Sequence, residues 1–204
     1  MKETKEKILK AALRLFNRGD TQKATTNHIA KAAGISPGNL YYHFRNKEAI
    51  IRELYRRMTD EIGFEAKALP ESMCEMRRYC VFVADVWWKY RFFRRELLFL
   101  MQRDPELRAT VERDNRAQHA KLLDLLEHLK AKGYLRLPHG DVAAELADAI
   151  MLYSQFWTPY LMSLGEPIGE EEVRMVSERI LSLFSPWLSE KAKSELADCQ
   201  SIKP

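Results

Sequence analysis

Apolar residues recur every three or four positions along most of this chain, which is the spacing of one face of an α-helix. Three such segments fill the N-terminal quarter, one over residues 4–17 and two shorter ones that meet at Gly34. Glycine enters the left-handed conformation without steric cost, so the chain is expected to turn sharply at Gly34. Thr26 is expected to cap the first short helix, and Ser36 to cap the second, with Pro37 at its first position. The pattern predicts a helix-turn-helix.

The second short helix is expected to have one buried side and one exposed side. Leu40 and Phe44 lie four residues apart, so they are expected to pack on the same side against the first short helix. The exposed side carries residues that suit DNA. Asparagine pairs with base edges, tyrosine brings hydroxyls to phosphates, and glycine lets the backbone approach closely. The exposed set comprises Gly38, Asn39, Tyr41, Tyr42 and His43. Asn46 is expected to cap the next helix, and Lys47 in its first turn brings a cation to free N–H groups, which together form a phosphate site. An ordinary helical hairpin with a solvated polar face is the alternative.

The run GISPGNLYYHFRNKEAII, residues 34–51, resembles the end of the DNA-binding domain of the TetR family of transcriptional regulators. That family has a glycine, a capped recognition helix, Leu-Tyr-Tyr-His-Phe and a Lys-Glu pair in this order. The resemblance implies phosphate contacts at Thr26, Tyr42 and Lys47, and positions facing the major groove at Gly38, Asn39, Tyr41 and His43. Many members carry a basic or polar residue where this chain has Pro37, so any contact from that side chain is lost here.

Basic charge is concentrated in the part of the chain that carries this motif. Residues 1–57 hold 13 Lys and Arg against 5 Asp and Glu, a balance of +8, and the remainder holds 20 against 24, a balance of −4. A polyanionic partner requires such a footprint. We therefore predict an all-α protein with a three-helix DNA-binding domain at 1–57, and a larger helical effector-binding and dimerisation domain at 58–204.

Large apolar and aromatic side chains crowd two segments of the second domain, residues 79–101 and 151–162. Both segments are apolar on more than one helical face, so each needs a further surface to pack against. Most of these side chains are expected to form plain core, and a minority to line a small-molecule cavity. The candidate pocket residues are Phe82, Val86, Trp87, Tyr90, Tyr153, Phe156 and Trp157.

Two long helices are predicted in the last third of the chain, over residues 141–161 and 170–188. Their broad apolar faces are able to pack on each other or on a second copy of the chain. In the TetR family the last two long helices form a four-helix dimer interface, so the resemblance favours the copy. The candidate interface residues are Leu146, Ile150, Val176, Ile180, Leu183 and Phe184.

Several other kinds of site lack support in the sequence. Cys74, Cys80 and Cys199 form no CxxC pair, so free thiols in a reducing cytoplasm are expected. No spacing of His, Cys or carboxylates indicates a metal site, and no cofactor is expected. The charged N-terminus does not resemble a signal peptide, and no uncharged apolar run has membrane-spanning length. We expect a soluble cytoplasmic protein with no membrane partner.

The resulting hypothesis is a homodimeric regulator, in this family most often a repressor, that binds a palindromic double-stranded DNA operator and is released by a small, mainly apolar effector. Two alternatives stay open. One is an all-helical enzyme acting on a small molecule, although the sequence lacks HExxH, CxxC and a phosphate-cradling glycine loop. The other is an effector-free architectural DNA-binding protein, which leaves the large aromatic-rich second domain unexplained.

Overall fold

The protein consists of α-helices, as the sequence predicts. A computed structural model describes residues 2–64, 68–138, 141–165 and 168–200. Within these ranges there is no β-strand, and one isolated bridge joins Leu135 to Leu188. The helices are α1 (Lys2–Arg18), α2 (Thr26–Ala33), α3 (Pro37–His43), α4 (Lys47–Ile62), α5 (Met73–Lys89), α6 (Arg91–Arg103), α7 (Pro105–Ala131), α8 (Val142–Ser163), α9 (Glu170–Leu183) and α10 (Glu190–Gln200), with a 3-10 turn at Ser185–Trp187.

Two compact units divide the chain. The first contains Met1–Ile62 and Lys89–Val111, and the second contains Gly63–Trp88 and Glu112–Pro204. The first unit therefore includes the whole of α6, whereas the predicted second domain, residues 58–204, also contains this helix. The functional boundary between residues 57 and 58 stays a prediction.

The aromatic side chains of α6 explain why it belongs to the first unit. Phe92 and Phe93 are 0% and 1% exposed. The centroid of the Phe92 ring lies 5.2 Å from that of Phe16 on α1, and the Phe93 ring lies 5.5 Å from Tyr55 on α4. Aromatic pairs at such spacings contribute about 0.5–1.5 kcal/mol each beyond their buried area. The aromatic run predicted as core of the second domain thus stabilises the N-terminal unit in its α6 part.

Asn17, near the end of α1, marks the break between α5 and α6. Its Nδ2 donates to the carbonyl of Lys89 at 2.8 Å, and its Oδ1 accepts from the N–H of Phe92 at 3.2 Å. Backbone groups at helix ends lack intrahelical partners, and this one side chain satisfies one at each helix. The chain therefore forms two separate helices, with α5 ending before Tyr90 and α6 beginning after it.

The first helix of the helix-turn-helix is capped one residue earlier than predicted. Thr25, not Thr26, is the N-cap of α2, and its Oγ1 accepts from the N–H of His28 at 3.2 Å. Both residues are threonine, so composition alone does not separate the two positions. Gly34 ends α2 with φ of 69°, as the sharp turn requires.

The caps of the following two helices lie where the sequence predicts them. Ser36 Oγ accepts from the N–H of Asn39 at 3.2 Å, with Pro37 at the first position of α3. Asn46 Oδ1 accepts from the N–H of Ala49 at 2.9 Å at the start of α4. These short-range bonds fix the starts of α3 and α4.

Glu53 of α4 is the centre of an ion-pair network that joins α4 to α1. Its Oε1 lies 3.2 Å from Lys5 Nζ, 3.0 Å from Arg56 Nη2 and 3.3 Å from Arg57 Nε. Arg57 also pairs with Glu6 of α1. Burial by itself would raise the pKa of Glu53, but hydrogen bonds from Arg56, Lys5 and Arg57 outweigh it and lower the pKa from 4.5 to about 2.

In the second unit, α8 packs against α9. Leu146 and Ile150 are buried on α8, and Val176 and Ile180 are buried on α9. The buried faces follow the three- and four-residue spacing from which the two helices were predicted.

A disulfide joins α5 to α10, so the prediction of three free thiols is wrong for two of them. Cys74 and Cys199 are paired, with their Cα atoms 5.7 Å apart although 125 residues separate them in sequence. Proximity created by tertiary folding leaves no spacing motif such as CxxC. Cys80 is a free thiol, and desolvation raises its pKa to about 12, so it is protonated at neutral pH and weakly nucleophilic.

Glu53→Gln is expected to lower the free energy of unfolding at pH 7 by about 3 kcal/mol, the value of a pKa depressed by roughly 2.5 units. Because the folded-state pKa is the lower one, this stability is present above pH 4.5 and is lost as the pH falls towards about 2. Urea titrations at several pH values measure both effects, and the variant should show a flatter loss of stability in that window.

Glu3→Gln is the matched control, because Glu3 also pairs with a lysine of α1 but its side chain is 82% exposed. Its effect should be too small to distinguish from wild type, as for exposed ion pairs in general. Equal effects of the two substitutions would show that the Glu53 network contributes nothing beyond a surface ion pair.

Candidate functional site

Helix α3 has one buried side and one outward side. Leu40 is 0% exposed and Phe44, directly after the helix, is 6% exposed, whereas Tyr41 and Tyr42 are 50% and 70% exposed. The other predicted groove residues are Gly38 and Asn39, both exposed, and His43, which is half-buried. The predicted contact residues of α3 therefore include its most accessible side chains, while the residues expected to anchor it are buried.

Two contacts order the outward side of α3. The hydroxyl oxygens of Thr26 and Tyr41 lie 2.9 Å apart, which joins the first turn of α2 to the middle of α3. The rings of Tyr42 and His43 meet edge to face with their centroids 5.2 Å apart. A residue expected at a phosphate and one expected in the groove are thus linked directly, so their positions depend on each other.

Lys47, at the first position of α4, is held by a backbone carbonyl. Its Nζ donates to the carbonyl oxygen of Thr21 at 2.8 Å. An ammonium group has three N–H donors, so two remain for an anion. Thr21 lies in the connection between α1 and α2, and a contact of this kind leaves no periodic pattern in the sequence by which it could be predicted.

Gly38 is not required by the fold of the chain. A Cβ atom built at this position would meet no atom within 4 Å, whereas Gly34 has a positive φ that disfavours other residues. Glycine within a helix costs about 0.5–1 kcal/mol relative to alanine. Its place on the outward side of α3 therefore suits the close approach of another molecule rather than an internal constraint.

The spacing Gly34-x-Ser36-x-Gly38 also matches the GxSxG pattern of hydrolases, in which a serine nucleophile lies on a turn between a strand and a helix. Here the turn joins two helices, and the Ser36 hydroxyl accepts a hydrogen bond from the N–H of Asn39 at 3.2 Å. The serine is a helix cap, so the pattern does not indicate a nucleophile.

Two family models match the chain. One, described as bacterial regulatory proteins of the tetR family, matches residues 8–54, and another, described as a TetR bacterial transcriptional repressor, matches residues 47–196. The second match alone spans more than half of the chain.

The chain belongs to the TetR family.

Solved structures agree with this assignment. A TetR-family transcriptional regulator from Marinobacter aquaeolei VT8 is 30% identical, with a TM-score of 0.84, and 98% of each chain is covered. A complex of SmeT with triclosan is 17% identical, with a TM-score of 0.65, and 93% of this chain and 94% of that chain are covered. At this lower identity the likeness shows the TetR fold alone.

Curated relatives are transcriptional regulators, not enzymes. The regulator AcrR from Shigella flexneri is 31% identical over 88 residues, which are 41% of this chain and 41% of AcrR. The regulator QacR from Staphylococcus aureus is 44% identical over 50 residues, which are 24% of this chain and 27% of QacR. The TetR-family chain described here thus spans less than half the length of these relatives.

The predicted pocket residues fall in both compact units. Tyr90 lies in the first unit, where it is 4% exposed and its hydroxyl donates to Glu61 Oε2 at 3.3 Å. The other six lie in the second unit, and among them Trp157 is fixed to α9 through a bond from Nε1 to the carbonyl of Glu172 at 2.8 Å. Tyr90 is therefore a core residue of the DNA-binding unit.

The remaining pocket candidates differ in exposure. Val86 and Trp87 of α5 are buried, Tyr153 is half-buried, and Phe82 and Phe156 are 37% and 41% exposed. A cleft of about 300 Å³ lies on the first unit and is lined by Lys10, Leu13, Arg14, Asn17, Arg18 and Arg91. The lining of an effector site stays a prediction.

The predicted interface residues mostly point into the core of their own chain. Leu146, Ile150, Val176, Ile180 and Phe184 are all less than a tenth exposed, and Leu183 is half-buried. A side chain buried in its own chain has little surface left for a partner. The apolar side chains that α8 exposes are Leu152, Phe156, Tyr160 and Met162, and α9 exposes Met175.

Among the described residues, no group of three or more His, Cys, Asp or Glu side chains is placed to hold a metal ion. No helix in the same part of the chain is both long and apolar enough to span a membrane.

Proposed function

We propose that this TetR-family chain is a homodimeric repressor that binds a palindromic operator through α3 and is released by a small, mainly apolar effector in the cytoplasm. The observation that carries DNA recognition is the outward side of α3, where two exposed tyrosines and Asn39 stand on a helix that is capped and anchored by Leu40. A short helix presented in this way suits the major groove.

The proposed DNA contacts are of two kinds, contacts to phosphates and contacts to base edges. Lys47, Tyr42 and Thr26 supply an ammonium group and hydroxyl groups, which bind phosphate oxygens without reading sequence. The residues Gly38, Asn39, Tyr41 and His43 face the base edges, where asparagine and tyrosine discriminate between bases. The balance of +8 on residues 1–57 adds a sequence-independent attraction.

The dimer forms through the exposed sides of α8 and α9. Leu152, Phe156 and Tyr160 recur every four residues on α8 and are 60%, 41% and 53% exposed, with Met175 of α9 at 45%. Apolar stripes of this kind are costly in water and indicate a partner surface. A second copy is the partner that two-fold symmetry of a palindromic operator requires.

An effector acts through the second unit. Its α5 and α8 carry large aromatic side chains, and the half-exposed Phe82 and Phe156 show that these helices do not bury all of them. SmeT, a protein of the same fold, was solved as a complex with triclosan. Release of DNA requires that the effector bind better to the conformation with low DNA affinity, a coupling of typically about 1–3 kcal/mol.

Lys47→Ala should weaken binding to operator and random DNA by similar factors, because it removes a phosphate contact. The slope of log affinity against log salt should fall by about 0.9 per subunit. Asn39→Ala should instead cost roughly 1–3 kcal/mol on the operator and much less on random DNA. Fluorescence anisotropy with both DNAs at several salt concentrations measures these effects.

Lys193→Ala is the control, since Lys193 is an exposed lysine of α10 in the second unit. It should leave affinity and salt slope unchanged. A loss of base preference in Lys47→Ala would show that Lys47 contacts a base and not only a phosphate. Equal losses of affinity on both DNAs in Asn39→Ala would show that Asn39 contacts the DNA backbone. Wild-type protein that binds no DNA would refute the proposed function.

Leu152→Asp should convert the dimer into a monomer. Burial of each leucine contributes about 2 kcal/mol, and two-fold symmetry doubles the loss, so the dimer dissociation constant should rise by roughly three orders of magnitude. Leu98→Asp is the matched control, because Leu98 is 58% exposed on α6 in the first unit. Analytical ultracentrifugation distinguishes them, and a wild-type monomer with full operator affinity would refute the dimer.

Triclosan serves as a first probe of the effector proposal. It should quench tryptophan fluorescence and weaken operator binding by about 5- to 150-fold at saturation. Trp87→Phe should remove part of the quench if the site lies beside α5. Tight quenching with unchanged operator affinity would show that the compound binds without releasing DNA, and would refute the proposed release by this class of effector.

A further inference from the structure

Glu96 of α6 accepts hydrogen bonds from the connection between α1 and α2. Thr21, in the middle of that connection, is 1% exposed. Its backbone N–H donates to Glu96 Oε2 at 3.1 Å, and its hydroxyl donates to the same oxygen. One carboxylate oxygen therefore holds Thr21 by both its main chain and its side chain, and charge-assisted bonds of this type are the stronger ones.

The second carboxylate oxygen of Glu96 is held by the neighbouring arginine. Arg95 Nε donates to Glu96 Oε1 at 3.0 Å, and Arg95 Nη2 donates to the carbonyl of Phe16 at 2.8 Å and to that of Gly19. The Glu96 side chain is only 12% exposed. Both carboxylate oxygens are thus bonded, and the end of α1 is fixed to α6 by the same pair of side chains.

The carbonyl of Thr21 continues this chain of hydrogen bonds to Lys47. It accepts from Lys47 Nζ at 2.8 Å. The peptide groups around Thr21 are fixed on one side by Glu96, so their carbonyl is a firm anchor for the ammonium group on the other. A lysine side chain has many rotamers, and ordering it in advance reduces the entropy lost when it grips a phosphate.

We propose that Glu96 of α6 is a positioning residue for DNA binding, which acts through Thr21 to hold the Lys47 ammonium group ready for a phosphate. This inference rests on the proposed DNA contact of Lys47. Glu96 itself touches no DNA in this arrangement. Because Glu96 belongs to α6, any shift of α6 against the α1–α2 connection would loosen Lys47.

Simple electrostatics makes the opposite forecast for Glu96. Removing a carboxylate from a DNA-binding unit increases its positive charge, and this by itself strengthens binding to a polyanion. The positioning role instead requires that the loss of Glu96 weaken binding. The sign of the effect therefore separates the two.

The test is a double-mutant cycle on operator DNA with wild type, Glu96→Ala, Lys47→Ala and the double variant. Lys47→Ala should weaken binding about tenfold, as loss of one charged hydrogen bond does. Glu96→Ala should weaken binding about three- to tenfold and reduce the salt slope, by up to about 0.9 per subunit. In the Lys47→Ala background, Glu96→Ala should change affinity by less than about twofold.

Two milder variants and one control guard against a loss of folding. Glu96→Gln keeps an acceptor oxygen for Thr21 and should recover most of the affinity, and Thr21→Val removes the hydroxyl while keeping both backbone groups. Glu61→Ala removes another carboxylate of the same unit, one that binds Lys89 Nζ at 2.7 Å. It should leave DNA affinity unchanged or slightly higher. Thermal unfolding of every variant shows whether it is folded under the binding conditions.

A readout without DNA completes the experiment. Hydrogen exchange at the Lys47 ammonium group, followed by NMR, should be slowest in wild type because of the bond to Thr21. It should be fastest in Glu96→Ala and intermediate in Glu96→Gln. Additive losses in the cycle, or unchanged exchange in Glu96→Ala, would overturn the positioning role. If exchange responds as expected but Lys47→Ala does not alter DNA binding, the proposed DNA contact fails while the link from Glu96 to Lys47 stands.

Discussion

The burial of Leu40 is the constraint on which the DNA-facing surface depends. Helix α3 is seven residues long, from Pro37 to His43. Isolated helices shorter than about 12 residues are marginal in water, so α3 exists only because the first unit supplies its stability. Leu40 at 0% exposure provides the apolar anchor, and the Ser36 hydroxyl accepts from the N–H of Asn39 in the first turn. Every outward side chain on α3 inherits its position from these two interactions.

Local features of this fold could be predicted from the sequence because they act over a few residues. The left-handed turn at Gly34, the Ser36 cap and the Asn46 cap each involve bonds between residues at most four apart. Periodicity likewise located the helices, since one buried face imposes one spacing. Where two equivalent residues adjoin, as at Thr25 and Thr26, the same reasoning loses its precision by one position.

Contacts between distant segments could not be predicted in the same way. A helical stripe shows that a face is buried but not which surface covers it. This is why the spacing of apolar residues did not indicate that Phe92 and Phe93 of α6 pack in the first unit, or that Leu146 and Ile150 are buried within their own chain. The pairing of Cys74 with Cys199 depends on the same kind of long-range proximity.

The sharing of α6 has a consequence for the modularity of this regulator. A chimaera that exchanged residues 1–57 for those of another protein would carry Asn17 and Thr21 away from the α6 atoms that bind them, the N–H of Phe92 and the carboxylate of Glu96. The transplanted DNA-binding segment would then have to pack against α6 of this chain, which did not evolve with it. Altered operator choice, by engineering or by evolution, is therefore achieved more readily by substitutions on the outward side of α3 than by transplanting the whole N-terminal segment.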